Sequence, residues 1–262
     1  MTQFNISVST LPYMGLGIGK MLKLPKEIGI EIFAECGNDY YWSHWLPRLL
    51  EGRKGEFSIH APFQNMDLSN PEADFAEILK NYRWGFEICK TYGGKHCVCH
   101  PYESARPEAE PEENRKKAQE CSLRRVRLLN SEAKKYGITL LVENMPYANP
   151  LFTQEEFIKT FSVEEDLHFL IDTGHAHMTN WDMQMTFEKL GSRILGFHLH
   201  DNMGKMDSHL HIGEGSINWE QFFAGCVKYT PHASLVCEYD YGTIDEVLKS
   251  IEKIQELINK SC

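Results

Sequence analysis

The chain contains no run of 18 apolar residues, so nothing in it is long enough to cross a bilayer as a helix. Its opening residues, MTQFNISVST, lack the basic and apolar regions of a secretory leader. None of the eight cysteines forms a C-x-x-C pair, and their spacing builds no small disulfide scaffold. Cys97, Cys99 and Cys237 sit inside apolar runs, as small core residues do. A cytoplasmic protein without membrane association is the simplest expectation. A basic surplus is also missing: 27 Lys and Arg face 37 Asp and Glu, a formal charge of −10. Such a field repels polyanions and makes nucleic acid an unlikely partner. Gly213-Glu214-Gly215 is not a dinucleotide fingerprint, no other glycine cluster supplies one, and no cofactor of that class is expected. The chain shows no internal repeat and no low-complexity segment.

What the chain does have is regular alternation. Eight short apolar runs read as strands: Asn5–Ser9, Gly29–Phe33, Phe57–His60, His96–His100, Thr139–Glu143, His168–Asp172, Leu195–His200 and Leu235–Glu238. Between them lie amphipathic stretches such as Pro71–Tyr92, Glu112–Tyr136 and Ile244–Asn259. Eight βα units in 262 residues without a composition break predict one α/β domain spanning 1–262, a (β/α)8 TIM barrel. A doubly wound open sheet is the competing topology.

Side chains alternate along a strand with period two, which assigns faces. His96, Val98 and His100 share one face of their strand, opposite Cys97 and Cys99. Leu141 and Glu143 share a face opposite Leu140 and Val142; His198 and His200 oppose Phe197 and Leu199; Val236 and Glu238 oppose Leu235 and Cys237. One face is apolar, suited to packing on helices. The other ends in His or carboxylate at the C-terminal end of the strand, where barrel active sites lie.

In chain order those ends supply His60, His100, Glu143, Asp172 with His175, His198, Asp207 with His209, and Glu238. A single histidine at a strand end is more often a hydrogen-bonded structural residue than a ligand. Six strands that each end in a ligand-type residue are different: imidazole and carboxylate crowded at one mouth need a compensating cation. The mixture suits a hard or borderline divalent ion, Mn, Zn, Co or Mg, in one to three copies.

The segments E-N, D-T-G-H, H-L-x-D and D-x-H-x-x-x-G-E-G, in this order, resemble the xylose-isomerase-like barrel superfamily. Its members include sugar isomerases and epimerases, inosose dehydratases and endonuclease IV. The resemblance runs from His60 to Glu238. In the sugar branch it implies one metal held by Glu143, Asp172, His198 and Glu238. The two glutamates then flank the substrate as acid and base, and His175 contacts a substrate oxygen. An arginine of the epimerases, shortly after the His198 position, has no clear counterpart; Lys205 or His209 would have to substitute. In the endonuclease IV branch the resemblance implies three zinc ions on nine positions, and all nine match: His60, His100, Glu143, Asp172, His175, His198, Asp207, His209 and Glu238. The acidic charge and the segment Ala61-Pro62-Phe63, which looks like the sugar branch, favour a small polyhydroxy substrate. The expected activity is isomerisation or epimerisation of a sugar, sugar phosphate or related keto-polyol, with a lyase of the same barrel family or the nuclease as alternatives. Self-association into a homo-oligomer is allowed but not specified.

Several features keep two readings. The basic group Arg124, Arg125, Arg127, Lys134 and Lys135 is expected to form a solvated outer helix face. Tyr102–Glu113, rich in Pro and Glu, reads as a solvated connection rather than a lid. The aromatics of Asn38–Trp45 fit sugar stacking or core packing equally. His177 reads as structural, His200 is balanced between structure and active site, and His211 either orients a ligand or lines the mouth. Gly213 and Gly215 are expected to shape a turn.

Overall fold

The computed structural model describes residues 4–35 and 39–261. Its eight strands are β1 (Ile6–Ser9), β2 (Gly29–Phe33), β3 (Phe57–His60), β4 (His96–Cys99), β5 (Thr139–Glu143), β6 (His168–Asp172), β7 (Ile194–Leu199) and β8 (Ser234–Cys237). They pair in parallel in chain order, and β1 closes on β8 through Ile6–Leu235 and Val8–Cys237, so the sheet is a barrel rather than an open fan. Strand ends differ from the sequence reading by a residue, as at His100 and Glu238, which stand just past the ends of β4 and β8. The helices are α1 (Asp39–Leu50), α2 (Phe75–Thr91), α3 (Glu112–Tyr136), α4 (Gln154–Ser162), α5 (Thr173–Met178), α6 (Met183–Leu190), α7 (Trp219–Tyr229) and α8 (Ile244–Ser261). The β1–β2 crossover is not an α-helix but a 3-10 segment, Gly15–Lys23, where three glycines in GLGIG remove helix propensity. Helix α2 starts later than its periodicity suggests, because Asp74 caps the amides of Ala76 and Glu77.

Strand parity is obeyed. The outward side chains, among them Ile30, Ile32, Cys97, Cys99, Leu140, Val142, Phe197 and Leu235, join the large core between sheet and helices. Val98, Leu141 and Leu170 form a separate small apolar cluster inside the barrel, with Leu195 packed on it. On the β2–β4 side the interior is polar instead: Glu31, Ser58 and His96 are all buried.

Arg124, Arg127, Lys134 and Lys135 lie on the solvated face of α3 expected of them, and Arg125 alone of the five departs from it. Arg125 is only 4% exposed. Its guanidinium donates to the carbonyls of Asn70 at 2.5 Å and Ala73 at 2.9 Å, and lies over the Phe75 ring at 5.3 Å. It therefore clamps the loop that carries the chain from β3 to α2. Arg127 pairs with Glu164, Lys134 with Asp166 and Lys135 with Glu132, so this stretch offers no free cationic stripe. Arg125→Met should lower stability by about 3 kcal/mol, since buried carbonyls lose a charged donor. Urea unfolding measures this, and a loss below about 1 kcal/mol would show that water replaces the clamp.

Candidate metal centre

Each motif has a local structural reason. In Glu143-Asn144, the Asn144 side chain ties β5 to β6: its Oδ1 accepts from Asp172 N at 2.8 Å, and its Nδ2 donates to Asp172 O at 3.1 Å. In Asp172-Thr173-Gly174-His175, Asp172 ends β6 and caps α5, its Oδ1 accepting from His175 N at 2.7 Å. The cap puts the His175 ring beside the same mouth. Thr173 Oγ1 lies 3.0 and 3.1 Å from the carbonyl oxygens of His198 and His200, fixing the end of β7. Gly174 is required by packing: a Cβ there would sit 1.9 Å from the His200 ring. Asp201 is fully buried and accepts from Asn202 N, Gly213 N, Ile217 N and Trp219 Nε1. It thereby orders the loop that carries Asp207 and His209.

The nine expected positions converge at the C-terminal mouth in three linked groups. His198 Nδ1 lies 3.1 Å from Glu143 Oε1, 3.2 Å from Glu238 Oε2 and 3.8 Å from Asp172 Oδ2. His60 Nε2 and His100 Nε2 are 3.0 Å apart, and Glu143 Oε2 lies 3.5 and 3.2 Å from them. His175 Nε2 and His209 Nε2 lie 3.2 and 3.4 Å from Asp207 Oδ2. Glu143 belongs to the first two groups, one oxygen to each. Ligands about 2.1 Å from an ion in tetrahedral array stand about 3.4 Å apart, so His60, His100 and Glu143, and likewise His175, Asp207 and His209, have the spacing of a coordination shell; in the central group the distances from His198 to Glu143 and Glu238 match it.

The nitrogens turned away from these groups strengthen the fit. His60 Nδ1 lies 3.0 Å from the Ala61 carbonyl, His175 Nδ1 2.7 Å from that of Asn144, and His209 Nδ1 2.9 Å from that of Glu238. His100 Nδ1 lies 3.3 Å from Glu103, and His198 Nε2 2.7 Å from Glu31. An acceptor on one nitrogen requires the hydrogen there and leaves the other lone pair for a cation. All five histidines are arranged this way. Glu143 Oε2 and Asp207 Oδ1 are buried without a hydrogen bond, as carboxylate oxygens meant for an ion would be. The donor set thus fits one or more divalent ions.

The electrostatics of the ion-free site follow. Burial disfavours the charged form of His100, but Glu103 and Glu143 outweigh it and push the imidazole up to about 10. Asp172 and Asp207 overcome burial to raise His175 to about 9, and Asp207 does the same for His209, raised to about 10. Burial opposes ionisation of Glu143, yet His198 and His100 hold it well below the usual carboxylate range. Glu31 is held low in the same way, by His198 and His96 against burial.

Above the groups opens a cavity of about 310 Å³. Its apolar wall is Leu11, Phe33, Phe63, Met145, Pro146 and Tyr147. Carboxylates reach it from Glu103, Glu143, Asp207, Glu238 and Asp240, and imidazoles from His60, His100, His175 and His209. Among the described residues no Lys or Arg lines it. Of the two residues considered in place of an arginine, His209 lines the cavity, while Lys205 is exposed outside it.

The open alternatives resolve as follows. His200 stands at the mouth: its Nε2 lies 2.9 Å from Asp172 Oδ1, its ring stacks on His209 at 3.8 Å, and it has ligand spacing to His175, Asp207 and His209. His211 is held by Ser250 Oγ and the Tyr241 carbonyl and does not line the mouth; His177 contacts Ser216. Gly213 takes φ +82°, as a turn requires, whereas Gly215 is set by close approach, since a Cβ would meet Asp201 Oδ1 at 2.2 Å. Trp42 is buried in the core and Tyr41 and Trp45 pack against it, whereas Tyr40 is exposed; none of the four lines the cavity, and Asn38 lies outside the described residues. Tyr102–Glu113 is not wholly a solvated connection: Tyr102 is buried and Glu103 enters the cavity wall, because its carboxylate seeks His100. The sequence reading missed Glu31 and Glu103. A signal for Glu31 was present, an acid between Ile30 and Ile32 on the inward face of a strand.

A family model described as xylose isomerase-like TIM barrel matches residues 45–259. An uncharacterised protein of Methanocaldococcus jannaschii is 26% identical over 211 residues, 78% of each chain. A solved D-tagatose 3-epimerase-like protein superposes with TM-score 0.79 at 22% identity, over 98% of this chain and 99% of that one. The D-psicose 3-epimerase of Clostridium cellulolyticum H10, solved with D-tagatose, gives 0.77 at 14% identity, over 97% and 99%. At these identities the two structures speak for the shared fold. Among the described residues no helix is long and apolar enough to cross a membrane.

Proposed function

The chain belongs to the xylose isomerase-like TIM barrel family, and from that premise we propose that it is a divalent-metal-dependent isomerase or epimerase of a small, free keto-polyol. The observation that carries the reading is the pair Glu143 and Glu238. They stand three strands apart around the barrel, both reach the cavity, and they flank His198 Nδ1 at 3.1 and 3.2 Å. Glu143, Asp172, His198 and Glu238 would hold the ion. When bound, it supplies the positive charge that polarises a carbonyl and acidifies the neighbouring C–H. One glutamate then takes that proton and the other returns one. His175 and His209 offer hydrogen bonds to substrate oxygens, and the wall of Phe33, Phe63 and Met145 excludes water.

The lining favours a free sugar over a sugar phosphate. Five carboxylates and no Lys or Arg reach the cavity, so a phosphate would find no guanidinium or ammonium group to hold it beyond the metal site itself. A second reading, a trinuclear phosphodiesterase of the endonuclease IV type, draws on the convergence of all nine ligand-type residues at the mouth in three linked groups. The test is elemental mass spectrometry of protein purified without chelator, together with deuterium uptake from D2O into free ketoses. Metal on the chain with uptake into a free ketose is expected. Three zinc per chain with incision of an abasic duplex and no uptake would overturn it.

A further inference from the structure

We propose that Glu31 is a positioning residue that decides which imidazole nitrogen of His198 faces the ion, an inference that rests on the metal-site reading above. Glu31 does not line the cavity and is 0% exposed, so it meets no substrate; it lies at ligand spacing to His198 and Glu238, but its two oxygens are taken by His198 Nε2 and Ser58 Oγ. A neutral imidazole carries one N–H. On Nδ1 that hydrogen would point at Glu143 Oε1 and Glu238 Oε2 and leave no lone pair for a cation. Glu31 Oε1, 2.7 Å from Nε2, requires the hydrogen there and frees Nδ1.

His60, His175 and His209 are anchored by backbone carbonyls, which come with the fold. His198 points into the barrel and relies on a side chain from the opposite wall. That side chain is itself held: Glu31 Oε2 accepts from Ser58 Oγ at 2.7 Å and lies 3.4 Å from His96 Nε2. Strands β2, β3, β4 and β7 therefore cooperate to fix one ring. Stability does not account for the arrangement. Elsewhere the barrel interior is filled by Val98, Leu141 and Leu170, and apolar replacement of a buried ionic cluster is often neutral or stabilising. Orientation of a ligand does account for it, as an acceptor on the distal nitrogen raises ligand basicity and fixes the ring.

The experiment measures zinc affinity by competition with a chelating dye for the wild type, Glu31→Leu, Glu31→Gln and Ser58→Ala. It adds the ¹⁵N shifts of the His198 imidazole in the zinc-loaded protein. The wild type is expected to carry hydrogen on Nε2 and metal on Nδ1. Glu31→Leu should bind zinc about 10- to 100-fold more weakly. In Glu31→Gln the amide oxygen still accepts, so it should recover most of that loss, and Ser58→Ala should fall between Gln and the wild type. Hydrogen on Nδ1 in the wild type, or unchanged affinity in a folded Glu31→Leu, would overturn the inference. Should the leucine variant fail to fold, the glutamine variant and the wild-type shifts decide. A wild type that binds no zinc would instead overturn the metal-site reading itself.

Discussion

Replacing Glu143 or Glu238 by Gln is expected to stop epimerisation, each variant losing about 10³-fold in rate, the scale of a positioned general base. The two losses should differ in kind. The glutamate on the side of the abstracted proton is needed for any exchange with solvent. Its counterpart is needed only to return a proton on the other face. With one epimer as substrate, one variant should therefore lose deuterium uptake while the other keeps uptake without inversion; with the opposite epimer the pattern should reverse. Glu143 also shares its Oε2 with His60 and His100, whereas Glu238 Oε1 accepts from the Ser9 hydroxyl at 3.4 Å. Glu143→Gln should accordingly lose metal more readily, and bound metal must be measured alongside rate. Full uptake in both variants would remove the glutamates from the acid–base role.

How far the sequence carries such an argument depends on what each residue's partner is. The barrel was legible because period-two alternation assigns each inward side chain from local order alone, and parity puts Glu143, His198 and Glu238 inside together. Parity places His60, His100 and Asp172 in the same way, whereas His175 on α5 and Asp207 and His209 in the loop after β7 were legible through the family motifs. What escaped depends on contacts made across the barrel or at long range. Arg125 looks like one more charge on a polar helix, and only the carbonyls of residues more than 50 positions earlier reveal it as buried. Glu31 meets His198 from 167 residues away, so its alternation could show that it points inward but not what it touches. Glu103 lies in a Pro- and Glu-rich loop, where composition suggested solvent, and its pairing with His100 decides otherwise. The β1–β2 crossover fell to local chemistry that pattern matching underweighted, since glycines at 15, 17 and 19 disfavour the α-helix that a regular βα unit would place there.

Metal affinity should rise steeply with pH, and its slope should count the histidines engaged. Without an ion, His100, His175 and His209 keep their protons up to about 10, 9 and 10, and the surrounding Glu238, Glu143 and Glu31 hold His198 well above its ordinary range against burial. Coordination needs each lone pair, so each of these four histidines that becomes a ligand at pH 7 must release a proton, and affinity climbs about tenfold per pH unit for each proton released. An ion on the central group alone engages only His198, with a slope near one. Occupation of all three groups engages His60, His100, His175, His198 and His209, so the summed proton release on full loading must exceed that of the central site. The stability of the ion-free protein runs the other way. A histidine raised from about 6.5 contributes fully below that value and loses its contribution as pH climbs through 9–10. Stripping the metal with a chelator should therefore cost most in alkaline solution. Free ion at about 1,000 times Kd adds roughly 4 kcal/mol, which for a chain of this size is a drop in Tm on stripping of about 10 °C. Differential scanning calorimetry at pH 7 and pH 9, with and without chelator, measures the gap, and proton release in weak buffer measures the slope. A gap that narrows with pH, or metal uptake without proton release, would show that these histidines are not the ligands.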